Sequence, residues 1–120
     1  MRDHTSLRAW QEAHAVSVEV IRLCKNSWKP YAAALFSQLQ RSSLSVQLNI
    51  AEGYAYGNSP TFTKHLGIAY GSAVETEELL RLAVETGLIE EKHLKPLLER
   101  SLESKYTLLG LLKQRRQFRP

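Results

Sequence analysis

Apolar residues recur at three- and four-residue steps along most of this chain, which is the spacing expected of α-helices. The pattern predicts four helices, at about residues 6–27, 30–54, 60–86 and 91–117. Helices of this length joined by short connections favour an all-α fold, an antiparallel up-down-up-down four-helix bundle. Because no linker or repeat interrupts the pattern, we expect residues 1–120 to form a single domain.

Capping residues mark the ends of these helices. Ser6 and Ser59 are predicted N-caps, and Pro60 follows at a first helical position, where its missing N–H costs nothing. Gly53 and Gly87 are predicted to end the second and third helices.

Two kinds of interruption lie inside the predicted helices. Gly67 and Gly71 are four residues apart on one side of the third helix, which favours a close helix crossing there. Pro96 falls about one turn into the fourth helix and predicts either a kink or a later start.

The first two helices each carry two apolar stripes, although a helix in a small bundle needs only one. The second stripe favours contact with another copy of the chain, and burial within its own fold is the alternative. In the first helix the stripes are Leu7, Trp10, His14, Val18, Ile21, Cys24 and Trp28, and Ala9, Ala13, Val16, Val20 and Leu23. In the second they are Ala32, Leu35, Phe36, Leu39, Val46 and Ile50, and Ala33, Leu44, Leu48 and Ala51.

One polar line runs between the two stripes of the second helix, and two polar residues lie on a similar edge of the third. If these edges face each other, Arg41 pairs with Glu52 or Glu75, and Asn49 forms hydrogen bonds across the helices. We interpret the line as a structural network that fixes helix register, with RNA contact or a small-molecule site as the alternatives. Its members are Gln38, Arg41, Ser45, Asn49, Glu52, Ser72 and Glu75.

The charge is unevenly distributed along the chain. It has 16 basic and 12 acidic residues, a net charge of +4, yet residues 105–120 contain five basic residues and no acidic one. Such clusters attract phosphate backbones, although basic residues also commonly close a helix to match its dipole. The candidate nucleic-acid-binding residues are Arg2, Arg8, Arg22, Lys25, Lys29, Lys113, Arg115, Arg116 and Arg119.

The residues that could support catalysis are not grouped in a recognisable way. The single cysteine, Cys24, lies on an apolar stripe, which predicts a buried structural thiol. Glu90-x-x-His93 is half of a bundle di-iron motif whose second half is missing, and His14 is predicted to be packed or hydrogen-bonded. We therefore expect no enzyme activity, cofactor or metal. Without an apolar run of the ~18 residues that span a bilayer, we expect a cytoplasmic protein.

Three motifs carry a family resemblance. Asn49-Ile50-Ala51-Glu52-Gly53 closes the second helix, Gly71-Ser72-Ala73-x-Glu75 lies in the third, and Trp10-Gln11-x-Ala13 lies near the start. They are similar to motifs of the four-helix-bundle proteins encoded in intervening sequences of bacterial large-subunit ribosomal RNA genes. The chain departs from that pattern at Gln40, where the family has arginine, and at Ser42 and Ser43, where it has alanines.

The resemblance implies a ring of five subunits and a relation to the accessory subunit of diversity-generating retroelements, which binds RNA and reverse transcriptase. Two functions follow. The first is a non-enzymatic oligomer, a homopentamer, that binds RNA or another polyanion through a basic surface repeated around the ring. The second is an assembly scaffold or accessory subunit that binds protein partners without touching nucleic acid.

Overall fold

A computed structural model describes residues 3–117. Its helices are α1 (Arg8–Ser27), α2 (Ala33–Tyr54), α3 (Pro60–Glu85) and α4 (Glu91–Gln117), with single 3-10 turns at His4–Ser6 and Pro30–Ala32. The predicted all-α bundle is confirmed. Within the described range, no helix combines the length and hydropathy that a bilayer span requires.

Contacts between neighbouring helices run in opposite sequence directions, so the helices are antiparallel. Between α2 and α3, Gln38 contacts Glu75, whereas the later residue Asn49 contacts the earlier residue His65. The same reversal holds for Ser17–Ser43 and Cys24–Phe36 between α1 and α2, and for Thr63–Arg115 and Glu77–Lys105 between α3 and α4. The chain therefore runs up, down, up and down.

The core forms two apolar clusters, one toward each end of the bundle. The first contains Ile50, Leu66 and Leu108, at the end where α1 and α3 begin. The second contains Phe36 and Leu80, at the end where α1 and α3 finish. Buried hydroxyl residues separate the two clusters, and they are Ser17, Ser42, Ser43, Thr76, Ser101 and Ser104.

Both α1 and α2 bury one predicted stripe and turn part of the other toward the surface. In α1 the buried stripe is the alanine and valine one, together with Cys24, while Ile21 remains 43% exposed. In α2 the stripe of Phe36 is buried, and Leu48 of the other stripe is 51% exposed. The double pattern in the sequence thus corresponds to a core face and an outer face.

The predicted caps of α3 are confirmed. The Ser59 hydroxyl accepts a hydrogen bond from the Phe62 N–H at 3.4 Å, and Pro60 is the first helical residue. At the other end Gly87 has a φ of +66°, which permits its N–H to reach the Val84 carbonyl and the Leu88 N–H to reach the Ala83 carbonyl.

The predicted N-cap of α1 is wrong. Ser6 lies in the preceding 3-10 turn, where its hydroxyl donates to the Asp3 carbonyl. Leu7 occupies the N-cap position and makes no side-chain hydrogen bond to the helix. Asp3 instead accepts from the Thr5 N–H, so the side-chain cap stabilises the short turn rather than α1.

Among the glycines, Gly53 and not Gly67 or Gly71 lies at a close contact with the neighbouring helix. A Cβ on Gly53 would lie 2.7 Å from the Cβ of His65 and 2.9 Å from Phe62 Cδ1. At Gly71 it would meet nothing within 4 Å. As predicted, α2 ends at Tyr54, one residue after Gly53, and this glycine is also a contact point between α2 and α3.

Candidate functional site

Hydrogen bonds join α2 to α3 along most of their contact, and we call this arrangement the polar seam. It extends from the end of the bundle where α2 begins to within one turn of Gly53. Its cross-helix pairs are Gln38–Glu75, Ser42–Thr76 (2.9 Å), Ser45–Ser72 (2.7 Å) and Asn49–His65 (3.0 Å).

Asn49 is the most connected residue of the polar seam. Its amide nitrogen donates to the Ser45 carbonyl at 2.9 Å and to the Ser45 hydroxyl at 3.1 Å. Its side-chain oxygen lies 3.0 Å from Nδ1 of His65, an arrangement that requires the proton on that nitrogen. Glu52 places a carboxylate oxygen 4.0 Å from the same nitrogen. Among the described residues, no buried seam atom lacks a partner.

The structure brings together most of the polar line expected from the sequence. Arg41 is the exception, because it is exposed and forms no ion pair within residues 3–117. Gln38 donates a hydrogen bond to Glu75, and Glu52 lies beside His65, so neither expected partner pairs with Arg41. A helix turns 100° per residue, so Ser42 faces α3 where Arg41 does not.

Sequence reasoning missed three members of the polar seam: Ser42, Thr76 and His65. A signal for two of them was present. Ser42 stands four residues after Gln38, and Thr76 stands four residues after Ser72, which is the spacing of one helix face. Nothing local marks His65, whose partner lies sixteen residues earlier on α2.

The candidate basic residues lie at both ends of the bundle and not on one surface. Lys25 and Lys29 are where α1 finishes, whereas Arg8 is where α1 begins, about 25 Å away at 1.5 Å per residue. Lys113, Arg115 and Arg116 close α4, at the same end as Arg8. Arg2 and Arg119 lie outside the described residues.

Arg115 is engaged inside the protein. Its guanidinium donates to the Thr63 hydroxyl and to the Ser59 carbonyl, both at 3.1 Å, and lies over the Phe62 ring at 4.3 Å. These contacts fasten the end of α4 to the first turn of α3. Arg115 is therefore not free for a ligand without loss of those contacts.

The remaining cations near that end differ in their pairing. Arg8 contacts Glu12 at 2.8 Å and Glu103 at 3.8 Å. Lys113 and Arg116 are exposed, and neither forms an ion pair within the described range. Lys64, near the start of α3, is likewise exposed and unpaired, so this end offers three exposed cations with no ion-pair partner among residues 3–117.

The other end has a larger unneutralised set. Residues 20–51, which we call the acid-free segment, contain no aspartate or glutamate and four basic residues. All four are exposed and form no ion pair with any other residue of 3–117. They are Arg22, Lys25, Lys29 and Arg41.

Two exposed aromatic residues, Trp28 and Tyr31, stand on either side of Lys29 in this segment. Trp28 is 44% exposed and packs against the Phe36 ring at a centroid distance of 5.3 Å. Tyr31 is 80% exposed. We call the group of Arg22, Lys25, Trp28, Lys29 and Tyr31 the basic–aromatic surface. A shallow groove beside it is lined by Ile21, Cys24, Lys25, Trp28 and Gln40.

Charges between α3 and α4 are paired instead. The Glu77 carboxylate accepts hydrogen bonds from Lys105 Nζ at 2.5 Å and from Arg81 Nε at 3.0 Å. The Glu77 and Lys105 side chains are only 14% and 12% exposed. The hydrogen bond from Lys105 lowers the pKa of Glu77, and the hydrogen bond from Arg81 lowers it to a lesser extent. The bond to Glu77 in turn raises the pKa of Lys105.

Cys24 and His14, two side chains that could support catalysis, are both engaged in contacts within the protein. Burial raises the pKa of the Cys24 thiol to about 11, and its sulfur lies 3.8 Å from the Phe36 carbonyl. His14 stacks on Trp10 and has Nδ1 3.0 Å from the Gln47 amide nitrogen. Over residues 3–117, no three side chains of the metal-ligating types are grouped together.

Two comparisons with known proteins give a match. A family model described as 23S rRNA-intervening sequence protein matches residues 5–110. The crystal structure of a protein of unknown function from the S23 ribosomal protein family of Bacteroides thetaiotaomicron superposes with a TM-score of 0.77. The two sequences are 23% identical, and the alignment covers 88% of this chain and 95% of that one, so the likeness shows a shared fold. None of the curated proteins matches.

Proposed function

This chain belongs to the family of 23S rRNA-intervening sequence proteins, and on that premise we propose that it is a non-enzymatic, oligomeric protein that binds RNA. The observation that carries the proposal is the acid-free segment. Its four cations are exposed and have no carboxylate partner in the described chain. A nucleic acid carries a layer of condensed counterions, and cations that contact its phosphates release those counterions with a favourable gain in entropy.

The exposed cations at the end of α4 add a second region of positive potential. Lys113 and Arg116, together with Lys64 near the start of α3, have no ion-pair partner among the described residues. Contacts of this number give weak binding from one chain. An RNA long enough to reach both ends, or several subunits, would make many such contacts at once.

Assembly into a homopentamer would supply that multiplicity. The outer faces of α1 and α2 support self-association, because Ile21 and Leu48 remain 43% and 51% exposed. Five copies of the acid-free segment would place twenty unneutralised cations on one particle, at four per subunit. Repeated weak contacts then combine into an affinity that no single subunit has.

The same outer faces support a second candidate function. A scaffold or accessory subunit would use Ile21 and Leu48 to bind another protein and would leave nucleic acid untouched. Association through apolar surface changes little with salt, whereas binding to phosphates weakens steeply as salt rises. Salt dependence therefore separates the two functions.

The test is fluorescence anisotropy of a labelled single-stranded RNA, together with the particle mass from light scattering. With four phosphates contacted per subunit, we expect affinity to fall roughly 50-fold between 50 and 200 mM salt. Absence of binding at 50 mM salt would overturn the RNA proposal and favour the scaffold. A monomeric mass at micromolar concentration would overturn the oligomer.

A further inference from the structure

The aromatic residues of the basic–aromatic surface are more exposed than the fold requires. Tyr31 is 80% exposed, and its ring makes no aromatic contact with any other described residue. Trp28 covers Phe36 yet keeps 44% of its surface open. Single exposed aromatics are common, but two of them among unneutralised cations are a specific combination.

The backbone that carries these two rings is constrained. Pro30 fixes its own φ and opens the 3-10 turn Pro30–Ala32, which the Ala32 N–H closes on the Lys29 carbonyl at 3.0 Å. Trp28 is the C-cap of α1, directly before this turn. The two rings therefore sit on a short, constrained connection, and little backbone conformational entropy is lost when a ligand covers them.

We infer that the basic–aromatic surface binds unpaired nucleotides of single-stranded RNA. Tyr31 and Trp28 stack on bases, while Arg22, Lys25 and Lys29 contact the neighbouring phosphates. This inference rests on the proposed function and adds its ligand class. Cations alone would bind a duplex equally well, but an unpaired base, unlike one within a duplex, presents its flat face to a side chain. Stacking is tolerant of sequence, because every base has such a face.

The charges favour RNA over a protein occupant. Val20 to Ala51 contains no carboxylate that would repel phosphate. The competing occupant is the acidic surface of a second copy, since α3 and the start of α4 carry exposed glutamates such as Glu85 and Glu91. That contact would bury the Tyr31 ring together with the cations, so loss of the ring would change the particle mass, whereas in an RNA site it would change the affinity for RNA.

The experiment compares a short oligouridylate with an RNA duplex of the same length, for the wild-type chain and for Tyr31→Ala. We expect the wild type to prefer the single strand. Tyr31→Ala should weaken single-strand binding roughly 5- to 100-fold and leave duplex binding unchanged. Tyr31→Phe keeps the ring and should bind like the wild type. The matched control is Tyr106→Ala, which removes a 61% exposed tyrosine from α4 and should change nothing.

Three results would overturn the inference. The first is that the wild type binds both RNAs equally and Tyr31→Ala binds as the wild type does. The surface then contacts only phosphates, and the proposed RNA binding is retained. If Tyr31→Ala changes the particle mass, the surface is a contact between subunits. If the wild type binds neither RNA, the proposed function itself fails. Tyr31 is too exposed to support folding, so all variants should melt at the wild-type temperature.

Discussion

The two halves of the bundle use their charged side chains differently. Between α3 and α4, Glu77 is bonded to Lys105 and Arg81, and these groups neutralise one another within the chain. In the acid-free segment of α1 and α2, Lys25 and Lys29 face solvent with no acidic neighbour in sequence. Charges that pair within the chain stabilise the fold, whereas charges with no partner in the chain can pair with a ligand. We therefore expect substitutions between α3 and α4 to change stability, and substitutions in the acid-free segment to change binding.

The largest stability effect is expected at the ion pair between α3 and α4. Glu77→Gln leaves Lys105 mostly buried without its counter-charge, which should cost roughly 2–3 kcal/mol of unfolding free energy. Urea denaturation measures this loss, and RNA affinity should stay unchanged. The control is Glu78→Gln, an exposed neighbour that should change stability by less than about 0.5 kcal/mol. Equal losses in the two variants would show that the pair does not support folding.

The same pair makes a pH prediction. Because folding lowers the pKa of Glu77 from its ordinary 4.5, its contribution is present above that value and is lost as pH falls through the lowered one. Folding raises the pKa of Lys105 above 10.5, so its contribution is present below that value and is lost as pH rises through the raised one. Denaturation curves below pH 5 should therefore show a smaller acid-induced loss for Glu77→Gln than for the wild type, and parallel losses would contradict this assignment.

A smaller effect is expected where the two halves meet, at the end of the polar seam. Gly53→Ala places a methyl group 2.7 Å from the His65 Cβ, and the clash should outweigh the gain in helix propensity by roughly 1–2 kcal/mol. Gly71→Ala meets nothing within 4 Å and should stabilise α3 by up to ~1 kcal/mol. Thermal melting of the two variants should move in opposite directions. A shift in the same direction would place the tight contact elsewhere.

Local signals in the sequence were sufficient for the helices and for most of the polar seam. Ser59 and Gly87 act within four residues of themselves, so their roles are visible in sequence, and the 3.6-residue period places Asn49 beside Ser45. Tertiary partners were not visible. Gly53 and Gly71 look alike until the opposite helix is present, and Arg115 bonds to Ser59 across 56 residues.

The same limit applies to the basic residues. The sequence predicts a binding cluster at the end of α4, because five basic residues lie in residues 105–120. Folding engages Lys105 with Glu77 and Arg115 with Thr63, which removes both from the surface that a ligand meets. The acid-free segment keeps all of its cations exposed, so the number of basic residues in a segment did not predict how many remain available.

We propose that the location of the cations in the acid-free segment, and not the net charge of the chain, makes them bind RNA. Two double variants with the same net charge test it: Lys25→Gln/Lys29→Gln in that segment, and Lys92→Gln/Arg100→Gln in α4, where Lys92 contacts Glu90 at 3.3 Å and Arg100 contacts Glu19 at 3.4 Å. The measurement is the slope of log affinity against log salt concentration for a single-stranded RNA. We expect the first variant to lower the slope by about 1.4, for two lost phosphate contacts, and the second to leave it unchanged. Equal reductions in both variants would contradict the account, because net charge alone would then explain binding.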